Sequence, residues 1–139
     1  MVATADALIF VFILALVSVS VISIHPSEPD TPDASEVCDS LSLIRLDAGV
    51  MVGGTRSTDS TVWDLAAASL SSGDTAFIEG YLDDVIRDIL SGRYGYELVI
   101  THKERMMTVG DGAGTPTSEC SRTYAVIGGG SVSVILTIY

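Results

Sequence analysis

The side chains best suited to chemistry are the two cysteines, Cys38 and Cys120, which lie far apart in the sequence. An even number of cysteines in an exported chain favours a disulfide, because the extracellular environment is oxidising. Two buried thiols that stay unpaired are the alternative. Two cysteines with two scattered histidines, His25 and His102, do not make a zinc site. We therefore expect a Cys38–Cys120 disulfide and no metal.

Two other clusters are better explained as structure than as sites. The Gly-x-Gly-x-Gly run at residues 110–114 faintly resembles a phosphate-binding loop, but such a loop opens a helix, whereas Thr115, a proline and a predicted strand follow here. The acids Asp83, Asp84 and Asp88 lie on a predicted helix, where adjacent side chains point in different directions. We expect a surface loop and a solvated helix face.

The histidines and the known catalytic patterns point to no active site. His25 is expected to mark a polar boundary, and His102 beside Glu104 is expected to be an exposed strand end. The sequence contains neither G-x-S-x-G nor H-E-x-x-H. We predict a protein that is not an enzyme and holds no cofactor.

An uncharged apolar run, ALIFVFILALVSVSVISI, occupies residues 7–24 and dominates the organisation of the chain. As a helix it would be about 27 Å long, close to the hydrocarbon thickness of a bilayer. Because it is apolar on all sides, it needs lipid or copies of itself around it. The pair His25-Pro26 is expected to end the helix. We therefore predict a long N-terminal helix at residues 1–25.

The residues that flank this run carry almost no charge. No lysine or arginine occurs before Arg45, although anchors and signal peptides usually have basic flanks. Removal of a basic leader before Met1 would explain this. Asp6 either pairs with the α-amino group of a neighbouring copy or stabilises the helix dipole at a membrane interface.

Charge and composition limit the partners of the chain. It has 139 residues, a net charge of −11 and a predicted pI near 4.2, so nucleic acid and anionic lipid are poor partners. It contains no Asn, which excludes N-glycosylation. This length fits one domain in addition to the helix.

After a Pro-rich acidic linker at residues 26–33, the pattern at residues 34–139 predicts an α+β head. Apolar spacing predicts about three short helices, and then alternation predicts an antiparallel β-sheet that packs on the third helix. Residues 49–60 are expected to be a loop with at most a very short strand at 50–52. The predicted helices are 35–46, 61–70 and 75–91, and the predicted strands are 96–102, 106–109, 122–127 and 131–139, the last two joined by the glycines 128–130.

The run DALIFVFILALVSVSVI at residues 6–22 and the stretch GRYGYELVI at residues 92–100 resemble the type IV pilin superfamily, in particular archaeal pilin-like proteins. The resemblance implies that a prepilin peptidase removes a basic leader and that the apolar helices pack into a filament core. The implied assembly residues are Asp6, Ala7, Leu8, Ile9, Phe10, Val11, Phe12, Ile13, Leu14, Leu16, Val17, Val19, Val21 and Ile22.

The function implied by this resemblance is that of a structural subunit. Copies inserted in the cytoplasmic membrane would be polymerised by an assembly machinery into an extracellular, pilus-like filament for adhesion or cell contact. The main alternative is a single-pass anchored surface domain or a minor pilin-like component that forms no bulk polymer. A secreted enzyme or binding protein with an uncleaved signal is a third class.

Overall fold

The computed structural model describes residues 31–47, 51–52, 55–56 and 59–139. The chain divides into two units between Asp30 and Thr31, and the second unit, Thr31–Tyr139, is the head described below. The predicted N-terminal helix and its assembly residues lie outside the described residues, as does most of the predicted linker.

Helices and strands alternate in blocks along the described head. A first helix is followed by four very short strands, then by two longer helices and four longer strands. In chain order the elements are α1 (Ala34–Ser42), β1 (Arg45–Asp47), β2 (Met51–Val52), β3 (Thr55–Arg56), β4 (Asp59–Thr61), α2 (Val62–Ser72), α3 (Ala76–Ile89), β5 (Tyr96–His102), β6 (Arg105–Gly110), β7 (Ser118–Ala125) and β8 (Ser131–Ile138).

The four longer strands form one antiparallel sheet in the order β6-β5-β8-β7. Leu98 in β5 lies opposite Val109 in β6 on one side and opposite Leu136 in β8 on the other. The short strands pair separately, β1 with β4 and β2 with β3, as two antiparallel ladders. The strands β6 and β7 are therefore the edges of the main sheet.

The core lies between the main sheet and the helices. Successive side chains of a strand point to opposite faces, and alternate residues of β5 from Tyr96 to His102 are buried while those between them are half-buried. In α3 the buried residues Ile78, Leu82 and Ile86 recur every four positions, which places them on one face of the helix. The amphipathic helix and the strand predicted at these positions are confirmed.

The caps of α2 show how local residues define its limits. The Thr61 side chain accepts a hydrogen bond from the Asp64 backbone N–H, and the Asp64 carboxylate accepts one in return from the Thr61 N–H. This reciprocal pair satisfies two backbone donors that the first helical turn leaves free. Gly73, with φ of +83°, ends the helix in the left-handed conformation that glycine adopts without steric cost.

A close approach fixes the loop between β6 and β7 against the end of the chain. A Cβ atom on Gly112 would overlap the aromatic ring of Tyr139, so only glycine fits there without a shift. The Tyr139 backbone N–H donates to the Gly95 carbonyl at 2.9 Å, and Thr117 N–H donates to the Ile138 carbonyl at 2.7 Å. The loop predicted for the glycine run at residues 110–114 is confirmed, and no helix follows it.

The predicted fold class, a long hydrophobic helix followed by a head of helices and then strands, is wrong. The described residues contain three helices, none of which is both long and apolar enough to cross a membrane; the longest, α3, has 14 residues. The strands β1–β4 also separate α1 from α2, so the helices do not all precede the strands. The predicted first helix, 35–46, is also wrong at its end, because α1 ends at Ser42 and β1 begins at Arg45. Strands of two or three residues contain too few positions to show a period, so the pattern predicted a helix end at β1 and a loop at residues 49–60.

Candidate functional site

The first candidate site is the junction of α1 and β7, where the two cysteines meet. Cys38 is 0% exposed and Cys120 is 5% exposed, and the two cysteines lie close together as free thiols. Cys38 belongs to the buried face of α1 with Val37 and Leu41. Cys120 lies opposite Leu136 in the inward-facing register of β7. A helix face and a strand face thus bring together residues that are distant in sequence.

Two further contacts hold α1 along β7. The Ala34 backbone N–H donates to the Ser118 hydroxyl at 2.9 Å, which satisfies one free donor of the first helical turn. At the other side of the thiols, the Arg122 guanidinium lies 3.9 Å from the Asp39 carboxylate. These contacts attach α1 to the edge strand β7, beginning at the first residue of each element.

The electrostatics of the pair favour the thiol form. Burial, and then the hydrogen bond with Cys120, raise the pKa of Cys38 to about 12. The thiolate is the nucleophilic form of cysteine, and it is scarce at neutral pH when the pKa is this high. The pair is therefore poorly suited to nucleophilic catalysis, and its available chemistry is slow oxidation to a disulfide.

An aromatic pair closes this junction from the side of α2. Trp63 stacks on Tyr124 with ring centroids 4.9 Å apart. The Trp63 Nε1–H donates to the Ser42 hydroxyl at 3.1 Å, and that hydroxyl donates to the Cys38 carbonyl at 2.8 Å. The only tryptophan of the chain is thus linked through Ser42 to the backbone carbonyl of Cys38.

Of the three aspartates singled out on α3, one forms hydrogen bonds with other side chains and two are exposed to solvent. Asp83 accepts hydrogen bonds from the Tyr96 hydroxyl and from Arg87 Nε, the latter at 2.9 Å, and both lower the pKa of its carboxyl, the hydroxyl more strongly. Arg87 also lies 3.8 Å from Asp111. Asp84 and Asp88 are exposed. In the described part of the chain, no three His, Cys, Asp or Glu residues are grouped to hold a metal.

The prediction that His102 is an exposed strand end is wrong. His102 is only 5% exposed, because it shares the inward-facing register of Tyr96, Leu98 and Ile100. Its Nδ1 atom lies 3.0 Å from the Ser131 carbonyl oxygen of the neighbouring strand. The alternation of β5, extended to its last residue, was the sequence signal for this burial.

The sequence-predicted site residues thus have different outcomes. Cys38 and Cys120 come together, and their disulfide stays a prediction because both are thiols here. The assembly residues from Asp6 to Ile22 lie outside the described residues.

Comparison with known proteins adds no relative. No family model matches the chain, and neither a curated protein nor a solved structure matches it. The resemblance to type IV pilins therefore stays a prediction from residues 6–22 and 92–100.

Proposed function

We propose that this chain is the structural subunit of an extracellular, pilus-like filament, in which the apolar segments at residues 7–24 of many copies are buried against one another. The observation that carries the proposal is the self-contained core of the head. Side chains of α1, α2, α3 and the main sheet fill that core between themselves. The head thus surrounds its own apolar side chains, whereas the uncharged run at residues 7–24 needs apolar surroundings of its own, which an assembly of copies would supply.

The energetics support segment-driven assembly over head-driven assembly. Burial of apolar surface contributes about 25 cal/mol per Å², so an 18-residue apolar segment contributes on the order of tens of kcal/mol before ordering costs. Copies with a net charge of −11 repel one another, and this repulsion is screened by salt. Filaments held by an uncharged segment should therefore be more stable at high ionic strength.

The junction of α1 and β7 supports a mechanical role for the head. The helix α1 is the first described element after the predicted linker, so load on the N-terminal segment reaches the head through it. A Cys38–Cys120 disulfide would transmit that load directly to the main sheet. In this proposal a prepilin peptidase processes the subunit, which is inserted in the cytoplasmic membrane before assembly. An assembly machinery then polymerises it into a filament that serves adhesion or cell contact.

A matched pair of substitutions tests the proposal. Leu14→Asp places a charge in the middle of the apolar run, whereas Leu43→Asp makes the same change at a head residue that is 80% exposed. A buried unpaired carboxylate costs several kcal/mol in each copy, so Leu14→Asp should abolish filaments sheared from cells. The Leu43→Asp variant should give the normal filament yield. Equal filament yields from the two variants would overturn the proposal.

The runner-up, an anchored domain or minor component, predicts a different fractionation. The unmodified chain would then stay with the membrane after shearing and would sediment as single copies. Sheared material that contains the chain in sedimentable polymer supports the filament instead.

A further inference from the structure

A cleft at one end of the main sheet is not used by the proposed assembly. It has a volume of about 490 Å³, and we name it the His102 cleft after the buried residue that lines it. A smaller adjoining pocket of about 170 Å³ shares part of this lining and includes Asp64 and the turn between β7 and β8. The cleft is lined by Ser71, His102, Lys103, Glu104 and Arg105.

Three elements converge to form the cleft. The turn between β5 and β6 contains Lys103, whose φ of +56° is in the left-handed region. The C-terminal turn of α2 contributes Ser71, and the glycine turn at residues 128–130 contributes Gly128 and Gly129 to the adjoining pocket. The predicted hairpin at these glycines is confirmed. The cleft and its adjoining pocket are therefore built from two strand turns and a helix end.

The imidazole of His102 offers an acceptor. The Ser131 carbonyl can only accept, so the Nδ1 atom at 3.0 Å must carry the proton of a neutral ring. The Nε2 atom then has a free lone pair, and none of the residues that the structure describes hydrogen-bonds to it. A ligand that donates an O–H to Nε2 would satisfy it.

The charges of the cleft offer both donors and acceptors. Lys103 is the only lysine of the chain, and it has no ion pair among the described residues. Arg105 donates from one nitrogen, Nη1, to the Leu70 and Ser71 carbonyls at 2.9 and 3.2 Å, which leaves its other N–H groups for a ligand. Glu104 is exposed at the rim and adds a second acceptor.

The acidic residue of the adjoining pocket already has partners. One carboxylate oxygen of Asp64 accepts from the Ile127 N–H at 2.8 Å, and the other accepts from the Thr61 hydroxyl at 2.8 Å. The groups of the His102 cleft that remain for a ligand are therefore two cations, Lys103 and Arg105, and two acceptors, His102 Nε2 and Glu104.

We propose that the His102 cleft binds a hydroxylated carboxylate, the chemistry of a sugar acid such as a uronic acid. The carboxylate pairs with Lys103 and Arg105, and hydroxyl groups donate to His102 Nε2 and Glu104. A sulfate dianion, or the dianion of a phosphate monoester, has no O–H to donate to the imidazole, and Glu104 repels its second negative charge. A neutral sugar leaves both cations without an anion. This inference deepens the adhesive role proposed above and rests on it for its biological setting.

Binding is tested on the full chain as single copies in a sugar-free detergent, by ¹H–¹⁵N correlation spectra during titration with glucuronic acid. We expect saturable shifts at the amides of Ser71, Lys103 and Gly129. Acetate has the carboxylate alone and glucose has the hydroxyls alone, so each should bind at least about five-fold more weakly, the factor for about 1 kcal/mol of lost interaction. Absence of saturable shifts at the cleft, or equal binding of acetate, overturns the proposal.

A matched pair of variants locates the site. Lys103→Asn removes the charge and suits a left-handed φ, which asparagine tolerates, whereas Arg93→Asn removes a charge before the other end of β5. Glucuronic acid should bind Lys103→Asn about five-fold more weakly and Arg93→Asn unchanged. Equal affinities for the two variants would contradict the assignment. Because the assay uses single copies, its result is independent of whether the chain forms filaments.

Discussion

Oxidation of the Cys38–Cys120 pair should stabilise the head by about 4 kcal/mol, because the crosslink closes a loop between positions 82 apart (120 − 38 = 82) and restricts the unfolded chain. The head spans 109 residues (139 − 31 + 1 = 109). At about 2.1 cal/mol/K per residue, its unfolding entropy is about 0.23 kcal/mol/K, so the melting temperature should rise by about 17 °C. The two thiols already lie close together, so little native distortion should reduce this gain.

The assay compares one preparation before and after oxidation. Oxidised glutathione accepts the two electrons: two S–H bonds of the protein break, one S–S bond forms, and two molecules of reduced glutathione are released. Because the pKa of Cys38 is about 12, the reaction should be slow at neutral pH and faster at pH 9. Circular dichroism follows thermal unfolding of the full chain in detergent, and mass spectrometry counts the thiols.

A cysteine variant controls for other effects of the oxidant. The Cys120→Ser chain, treated in the same way, should show no rise in melting temperature. Two results would contradict a stabilising Cys38–Cys120 crosslink: failure of the folded chain to form it, or a crosslinked chain that melts at the same or a lower temperature than the reduced one.

Three further predictions concern stability. Gly112→Ala should destabilise the head by about 1–3 kcal/mol, because the new Cβ atom would overlap the aromatic ring of Tyr139. Gly80→Ala should stabilise it by about 0.5–1 kcal/mol, because alanine favours the helix and no atom lies near the new methyl group. Asp64→Ala removes the carboxylate half of the α2 capping box and the acceptor of the Ile127 N–H, and should cost about 1–2 kcal/mol. Asp84→Ala at an exposed site should change stability by less than about 0.5 kcal/mol. Burial raises the pKa of Cys38 from 9.0 to about 12, so the buried thiol contributes fully to the free energy of unfolding below pH 9, and this contribution is lost between pH 9 and 12. In that range the reduced chain should lose at most about 1.4 kcal/mol of stability per pH unit more than the oxidised chain, which has no thiol to titrate.

Urea unfolding monitored by circular dichroism measures each of these changes. Equal stability of the Gly112→Ala and Gly80→Ala chains would contradict the close approach at the β6–β7 loop. A neutral Asp64→Ala change would contradict the cap. Parallel pH profiles of the reduced and oxidised chains between pH 9 and 12 would contradict the burial of the thiol.

Long periodic segments of the fold were predictable, and short ones were not. The helix α3 shows its spacing over four turns through Ile78, Leu82 and Ile86, and β5 shows alternation over seven residues. The sequence predicts that α1 starts at residue 35, but the helix begins at Ala34 and its N-cap is Asp33 rather than a serine; the Asp33 carboxylate accepts from the Ser35 N–H at 2.9 Å. Both residue types make good caps, and tertiary contacts decide between them.

The site residues depended on tertiary placement to a greater extent. The meeting of Cys38 and Cys120 depends on which strand lies beside α1, and the pairing order β6-β5-β8-β7 is not encoded in any local pattern. Likewise, the His102 cleft is formed by two turns and a helix end that are separated in sequence. Residue types alone indicated no ligand there.

Burial of residues 7–24 among copies in a filament can be observed by electron microscopy of filaments sheared from the native cells, with helical reconstruction at side-chain resolution. We expect this chain to trace through the filament with residues 7–24 at its centre and Thr31–Tyr139 outside. A filament whose contacts join only the heads, or a chain found only as single copies in the membrane fraction, would contradict it.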